Sequence, residues 1–131
     1  MHKSFLLAGA IFGGLGVALG AFGAHGLQNI TSDEKIIHGF QTAVQYQIYH
    51  ALALLLIGIL YETMPLKMVK WAGNCFITGT VLFSGSLYLL TFLKIQESSM
   101  TKIAGPLTPL GGVFFIAGWL FLIIAILKRE R

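Results

Sequence analysis

The sequence predicts an all-α membrane protein, a bundle of four transmembrane helices with both termini cytoplasmic. Three observations point there. Of the 131 residues, 56% are hydrophobic and 11% charged, and the mean hydropathy of +0.79 exceeds what a soluble domain of this size can bury. The apolar residues gather into four runs, near residues 5–24, 41–61, 71–93 and 108–127, each close to the roughly 20 residues that cross a bilayer core. The basic residues fall between and beyond those runs, so the net charge of +4 reads as topology and not as a nucleic-acid surface. Little chain remains for anything else, and residues 1–131 form a single domain.

The first run, Phe5 to Ala24, contains no charged residue and follows Lys3. Its beginning has the look of a signal peptide, but a cut after Ala24 would put Phe22 where a small residue is required, so it is read as a span. The second begins earlier than its apolar core. Thr31-Ser32-Asp33-Glu34 has the form of a capping box, and a helix from Ser32 to Tyr61 would be about 45 Å long, so its first turns lie in or above the interface. Pro65 closes it, and the short Glu62 to Lys70 link turns the chain back into a third span, Trp71 to Leu93. A polar link, Lys94 to Ala104, leads to Gly105-Pro106-Leu107-Thr108-Pro109. There Thr108 is expected as N-cap and Pro109 as the first helical residue of the fourth span.

Orientation follows from the cations. With the N-terminus inside, Lys3, Lys67, Lys70, Lys128, Arg129 and Arg131 are cytoplasmic and only Lys35, Lys94 and Lys102 are outside.

Glycine marks the first span. Gly9, Gly13, Gly16, Gly20 and Gly23 recur every three or four residues, a heptad seam. Apolar side chains gain nothing by leaving lipid for protein, so small residues that admit close backbone approach are what hold such helices together. The period implies a shallow left-handed crossing. The third span offers a mate, because Gly73, Thr80, Ser84 and Thr91 share a narrow stripe whose hydroxyls can bond back to their own helix. An oligomer seam or pore lining is the other use of such glycines.

The second span carries the chemistry. His38, Gln41, Gln45 and Tyr49 lie in one arc and Thr42, Tyr46 and His50 extend it, so half of that surface is polar. Such groups need partners other than lipid tails: another helix, water in an outward-facing cavity, or a ligand headgroup. His50 lies deepest and, with Tyr46 one turn before it, suits a proton relay or the holding of an anionic group, or else a neutral histidine bonded to a hydroxyl or backbone carbonyl. His25 ends the first span on the same outer side. No carboxylate or cysteine joins these histidines at ligand spacing, so no metal or other cofactor is expected. Cys75, the single cysteine, reads as a small buried residue. Trp71 fits an interfacial belt and Trp119 a packed position. No acid pair or triad accompanies Ser84, Ser86 or Cys75, so the chain is not read as an enzyme.

Four ordered blocks resemble a known family: Gly20-Ala21-Phe22-Gly23-Ala24-His25-Gly26, Thr42 to Leu54, Phe83-Ser84-Gly85-Ser86-Leu87-Tyr88, and Gly105 to Gly112. Together they are similar to the small membrane proteins of domain of unknown function 423, which include the transmembrane protein 256 type of animals. The resemblance implies a multi-pass protein of a cell membrane, read here as a bacterial inner membrane, and names no reaction. The expected function is binding of a lipid, a small amphipathic ligand or a membrane partner protein at an outer polar cluster of His25, Gln41, Gln45, Tyr46, Tyr49 and His50. A small homo-oligomeric transporter or channel, proton-coupled through His50, is the alternative.

Overall fold

The computed structural model describes residues 1–129, and four of its helices are long and apolar enough to cross a membrane. They are α1 (Lys3–Ala24), α2 (Glu34–Thr63), a third span over Lys67–Ile95, and α6 (Leu107–Arg129). The third span is composite: α3 (Lys67–Gly79), a π-turn (Thr80–Ser84) and α4 (Gly85–Ile95). A short helix, α5 (Thr101–Ala104), interrupts the link that precedes α6. Arg131, counted above among the inner cations, lies outside the described residues.

The helix ends follow the punctuation of the sequence with small shifts. α2 is capped by Asp33, whose carboxylate accepts from the Lys35 N–H at 3.0 Å while Thr31 Oγ1 accepts from the Asp33 N–H. The helix therefore starts after Asp33 and not at Ser32. It ends at Thr63, two residues before Pro65. Thr108 is not the N-cap of the fourth span. It sits one residue inside α6, and its hydroxyl pairs with that of Ser86 on α4. Pro109 is thus the third helical residue, still among the first four whose N–H would lack an intrahelical acceptor.

α1 packs along α2, and the third span packs along α6, with α2 and the third span meeting at the centre. Half of the apolar window of α2 is buried against 17% for α1 and 22% for α6. The order in space explains why α2 can afford polar residues and the outer helices cannot.

The glycine seam of α1 mates with α2, which corrects the expectation of a third-span mate. A Cβ at Gly9, Gly16 or Gly23 would lie 2.8 Å from the Ala51 carbonyl oxygen, Ile48 Cγ1 or Phe40 Cδ1 respectively. Gly20 is looser, 3.3 Å from Val44, and Gly13 has only Ala51 Cβ at 3.9 Å. Of the third-span stripe, Gly73 does reach α1, where it receives the Phe5 ring. Thr80 donates to the Phe76 carbonyl at 2.8 Å, as foreseen for a hydroxyl bonding its own helix, and Thr91 does the same to Leu87. Ser84 instead donates across to the Ala43 carbonyl of α2 at 2.7 Å.

Candidate functional site

The polar residues of α2 divide into two sets by direction. Successive positions turn by about 100°, so Ala43, Gln47, His50 and Leu54 face the bundle while Gln41, Gln45, Tyr49, Leu52 and Leu56 face out. Depth follows from the charge-free stretch between Lys35 and Glu62. Its middle falls at Tyr49. Gln45 is about 6 Å nearer the N-terminal end of α2 and Gln41 about 12 Å, against a hydrocarbon half-thickness of about 15 Å.

The inward set is fully engaged. Gln47, only 4% exposed, donates from Nε2 to the Phe12 carbonyl of α1 at 2.8 Å and accepts at Oε1 from the Tyr88 hydroxyl of α4 at 2.7 Å. It ties three helices together. His50, equally buried, accepts at Nε2 from the Trp119 indole N–H of α6 at 3.1 Å. That leaves Nδ1 to carry the proton and donate to the Tyr46 carbonyl at 2.8 Å. The imidazole lies flat on Phe115, ring centroids 3.7 Å apart, with the Phe76 ring edge-on. A neutral imidazole is what this site holds, and moving a proton through it would require the Trp119 bond to open.

The outward set has no such partners. Tyr49 is 56% exposed and Tyr46 39%, and Gln41 and Gln45 are exposed too. Among the described residues none of their side-chain amides or hydroxyls has a hydrogen-bond partner. Tyr46 is held by ring packing on Phe83, centroids 4.8 Å apart, and by the edge of Tyr49. An unpaired amide or hydroxyl at hydrocarbon depth costs several kcal/mol, and Gln45 and Tyr49 are the groups of this face to which that cost applies.

Beside Gln45 lies a cleft of about 210 Å³ between α1 and α2, walled by Gly20 and Gly23, floored by Phe40 and Val44 and rimmed by Gln41 and Gln45. Here Gly20 and Gly23 leave room as well as contact. Gln41 also borders a wider cleft of about 490 Å³ at the N-terminal end of α2, with Gln28, Thr31, Glu34 and His38 around it. His25 is exposed at the end of α1 and is not among the residues lining either cleft. The six expected site residues therefore separate: Gln41, Gln45, Tyr46 and Tyr49 share the outer face, His50 is turned into the bundle, and His25 stands apart. Among the described residues no three of His, Cys, Asp or Glu gather as a metal set.

Sequence reasoning missed Gln47 and Tyr88; Ser84 and Ser86, expected as interhelical hydrogen-bonders, are so, with Ala43 and Thr108 as partners. Gln47 was legible in part, since it precedes His50 by three residues and shares its face. Trp119 is less packed than expected, 43% exposed, yet its N–H supplies the bond that orders His50. Cys75 is half-buried, not buried.

Four apolar helices, polar ties confined to their centre and a polar outer face on one of them define a small multi-pass helical membrane protein. The chain belongs to the family described as "Protein of unknown function (DUF423)", which matches residues 19–112. A UPF0382 membrane protein of Staphylococcus aureus is 45% identical over 126 residues, 96% of this chain and 97% of its own length. The UPF0382 membrane protein YwdK of Bacillus subtilis is 43% identical over 127 residues, 96% and 98% of the two chains. No solved structure matches the chain.

Proposed function

We propose that this protein is a non-catalytic binding component of the bacterial cytoplasmic membrane, whose outer polar face on α2 takes an amphipathic, hydrogen-bonding partner. One observation carries the reading: Gln45 and Tyr49 present unpaired polar groups at hydrocarbon depth, and Gln45 rims an open cleft between α1 and α2. A lipid, a small amphipathic ligand or another membrane protein would each bring apolar surface for Phe40 and Val44 and a polar group for the amides. Both termini are cytoplasmic in this reading, because the inner side then holds the larger share of Lys and Arg.

Native mass spectrometry from a mild detergent tests it. The wild type should carry a bound lipid, small molecule or partner, and Gln45→Leu should release it while leaving the fold intact, since the side chain faces out. A wild type that flies bare, with Gln45→Leu and Tyr49→Phe indistinguishable from it, would remove the reading. Orientation is tested separately by an impermeant thiol reagent on Glu97→Cys in a Cys75→Ser background, which should label from outside intact cells.

A further inference from the structure

Resting on that reading, we infer that the occupant of the outer face is a second copy of this chain, docked α2 against α2 in a parallel two-fold dimer centred on Gln45. Depth limits the candidates first. Tyr49 sits at the middle of the bilayer and Gln45 about 6 Å from it, whereas lipid headgroups begin about 15 Å away and acyl chains carry no donor or acceptor. What satisfies these groups must bring polar atoms into the hydrocarbon, as a transmembrane helix does.

The composition of the stripe then selects the helix. Two copies inserted in the same direction and related by an axis along the membrane normal place each α2 residue beside its own counterpart at equal depth. Only groups that both donate and accept can bond to themselves. The amide and the phenol do so, and the exposed polar groups of α2 inside the hydrocarbon are Gln45, Tyr46 and Tyr49, with Gln41 at its boundary and no charge among them. Any Lys, Asp or Glu in the stripe would repel its copy.

Spacing agrees. Gln41, Gln45 and Tyr49 are four residues apart and so follow the ridge along which two parallel helices cross right-handedly, with Gln45 at the crossing point and Gln41 and Tyr49 on either side. Below Tyr49 the same face continues as Leu52 and Leu56, 57% and 68% exposed, which supply apolar contact. The other lipid-facing surfaces ask for no partner. α1 exposes Ile11, Leu15 and Val17, and α6 exposes Val113, Ile116 and Leu120, all satisfied by acyl chains. Asn74, the other exposed amide of the spans, lies about 12 Å from the middle of the third span, near the boundary where water reaches it.

Cross-linking in native membranes tests this. In a Cys75→Ser background, Leu52→Cys, which lies on the same face and leaves Gln45 and Tyr49 in place, should form a species of twice the chain's mass on mild oxidation, at least tenfold more than Leu120→Cys on α6 or Val17→Cys on α1. In phosphatidylcholine vesicles of increasing dilution, energy transfer between labelled copies should report association, and Gln45→Leu with Tyr49→Phe should weaken it about tenfold per lost pair. Equal cross-linking at all three positions, or a cross-linked species of another mass, would overturn the inference. So would a wild type that stays monomeric at every dilution. If that monomer still carries a ligand that Gln45→Leu strips, the dimer falls and the binding reading stands; if it carries nothing, both fall.

Discussion

The two seams of the bundle use glycine in opposite ways. Between α1 and α2 the glycines are mostly on one side: Gly9, Gly16 and Gly23 form a shelf on α1, and α2 lays Leu55, Ile48 and Phe40 onto it. Between the third span and α6 they alternate. Gly118 receives Phe76, Gly79 receives Phe115 and Gly111 receives Phe83, so each helix offers both knob and hole. The spacings run three then four on one helix and four then three on the antiparallel other. Both seams keep the seven-residue repeat of shallow left-handed packing. The shelf is adjustable at Gly16, where the flexible Ile48 side chain rests, and less so at Gly9 and Gly23, which meet the Ala51 carbonyl and the buried Phe40 ring. The interlocked seam sets backbone against aromatic rings, and neither can yield.

The largest expected effect therefore falls on the interlocked seam. In Gly111→Ala the new methyl would run into the Phe83 backbone nitrogen, and separation of α6 should cost about 3 kcal/mol or more. Gly16→Ala meets the flexible Ile48 side chain at 2.8 Å, and rotamer adjustment should hold its cost to about 1 kcal/mol. Reversible unfolding in mixed micelles with increasing dodecyl sulfate measures both. Equal losses would erase the distinction between shelf and interlock.

The interlocked seam has its own polar pair, Ser86 with Thr108, and α2 adds two buried side-chain ties to its neighbours. Gln47 joins α1 and α4 through two bonds, and His50 joins α6 through Trp119. Gln47→Leu removes both of its bonds and strands the Tyr88 hydroxyl, so it should destabilise by about 2 kcal/mol. Trp119→Phe breaks a single bond at a half-exposed ring and should cost about 0.6 kcal/mol. The same unfolding curves rank them, and a larger loss for Trp119→Phe would make His50 the principal tie.

These differences explain what the sequence could and could not reveal. The four spans were legible because lipid demands long uninterrupted apolar runs, and the shelf on α1 because five glycines on one helix make a period visible. The interlocked seam was not, since its glycines are divided between two helices and neither helix alone shows a glycine period. The mate of the shelf was misread for a related reason: α2 meets it with large side chains, which carry no signature of close packing. At the candidate site the polar half of α2 was evident from its period, whereas its division into inward ties and an outward face depended on where α1 and α6 pack. Gln47 and Gln45 are two residues apart and chemically identical, and only the bundle decides which one is satisfied.

The smallest effect belongs to a glycine outside both seams. Gly14 lies between Gly13 and Gly16 in sequence, but its helical position points away from α2, and a Cβ there would meet nothing within 4 Å. Gly14→Ala removes no contact and narrows the conformations open to the unfolded chain. It should leave stability unchanged or raise it by up to about 1 kcal/mol. The comparison is sharp because Gly14 and Gly16 share a helix, a depth and a lipid environment, and differ only in what faces them. A loss at Gly14 as large as that at Gly16 would mean that the outer face of α1 is also packed against protein in the membrane. The two-fold contact would then have to include α1 as well as α2.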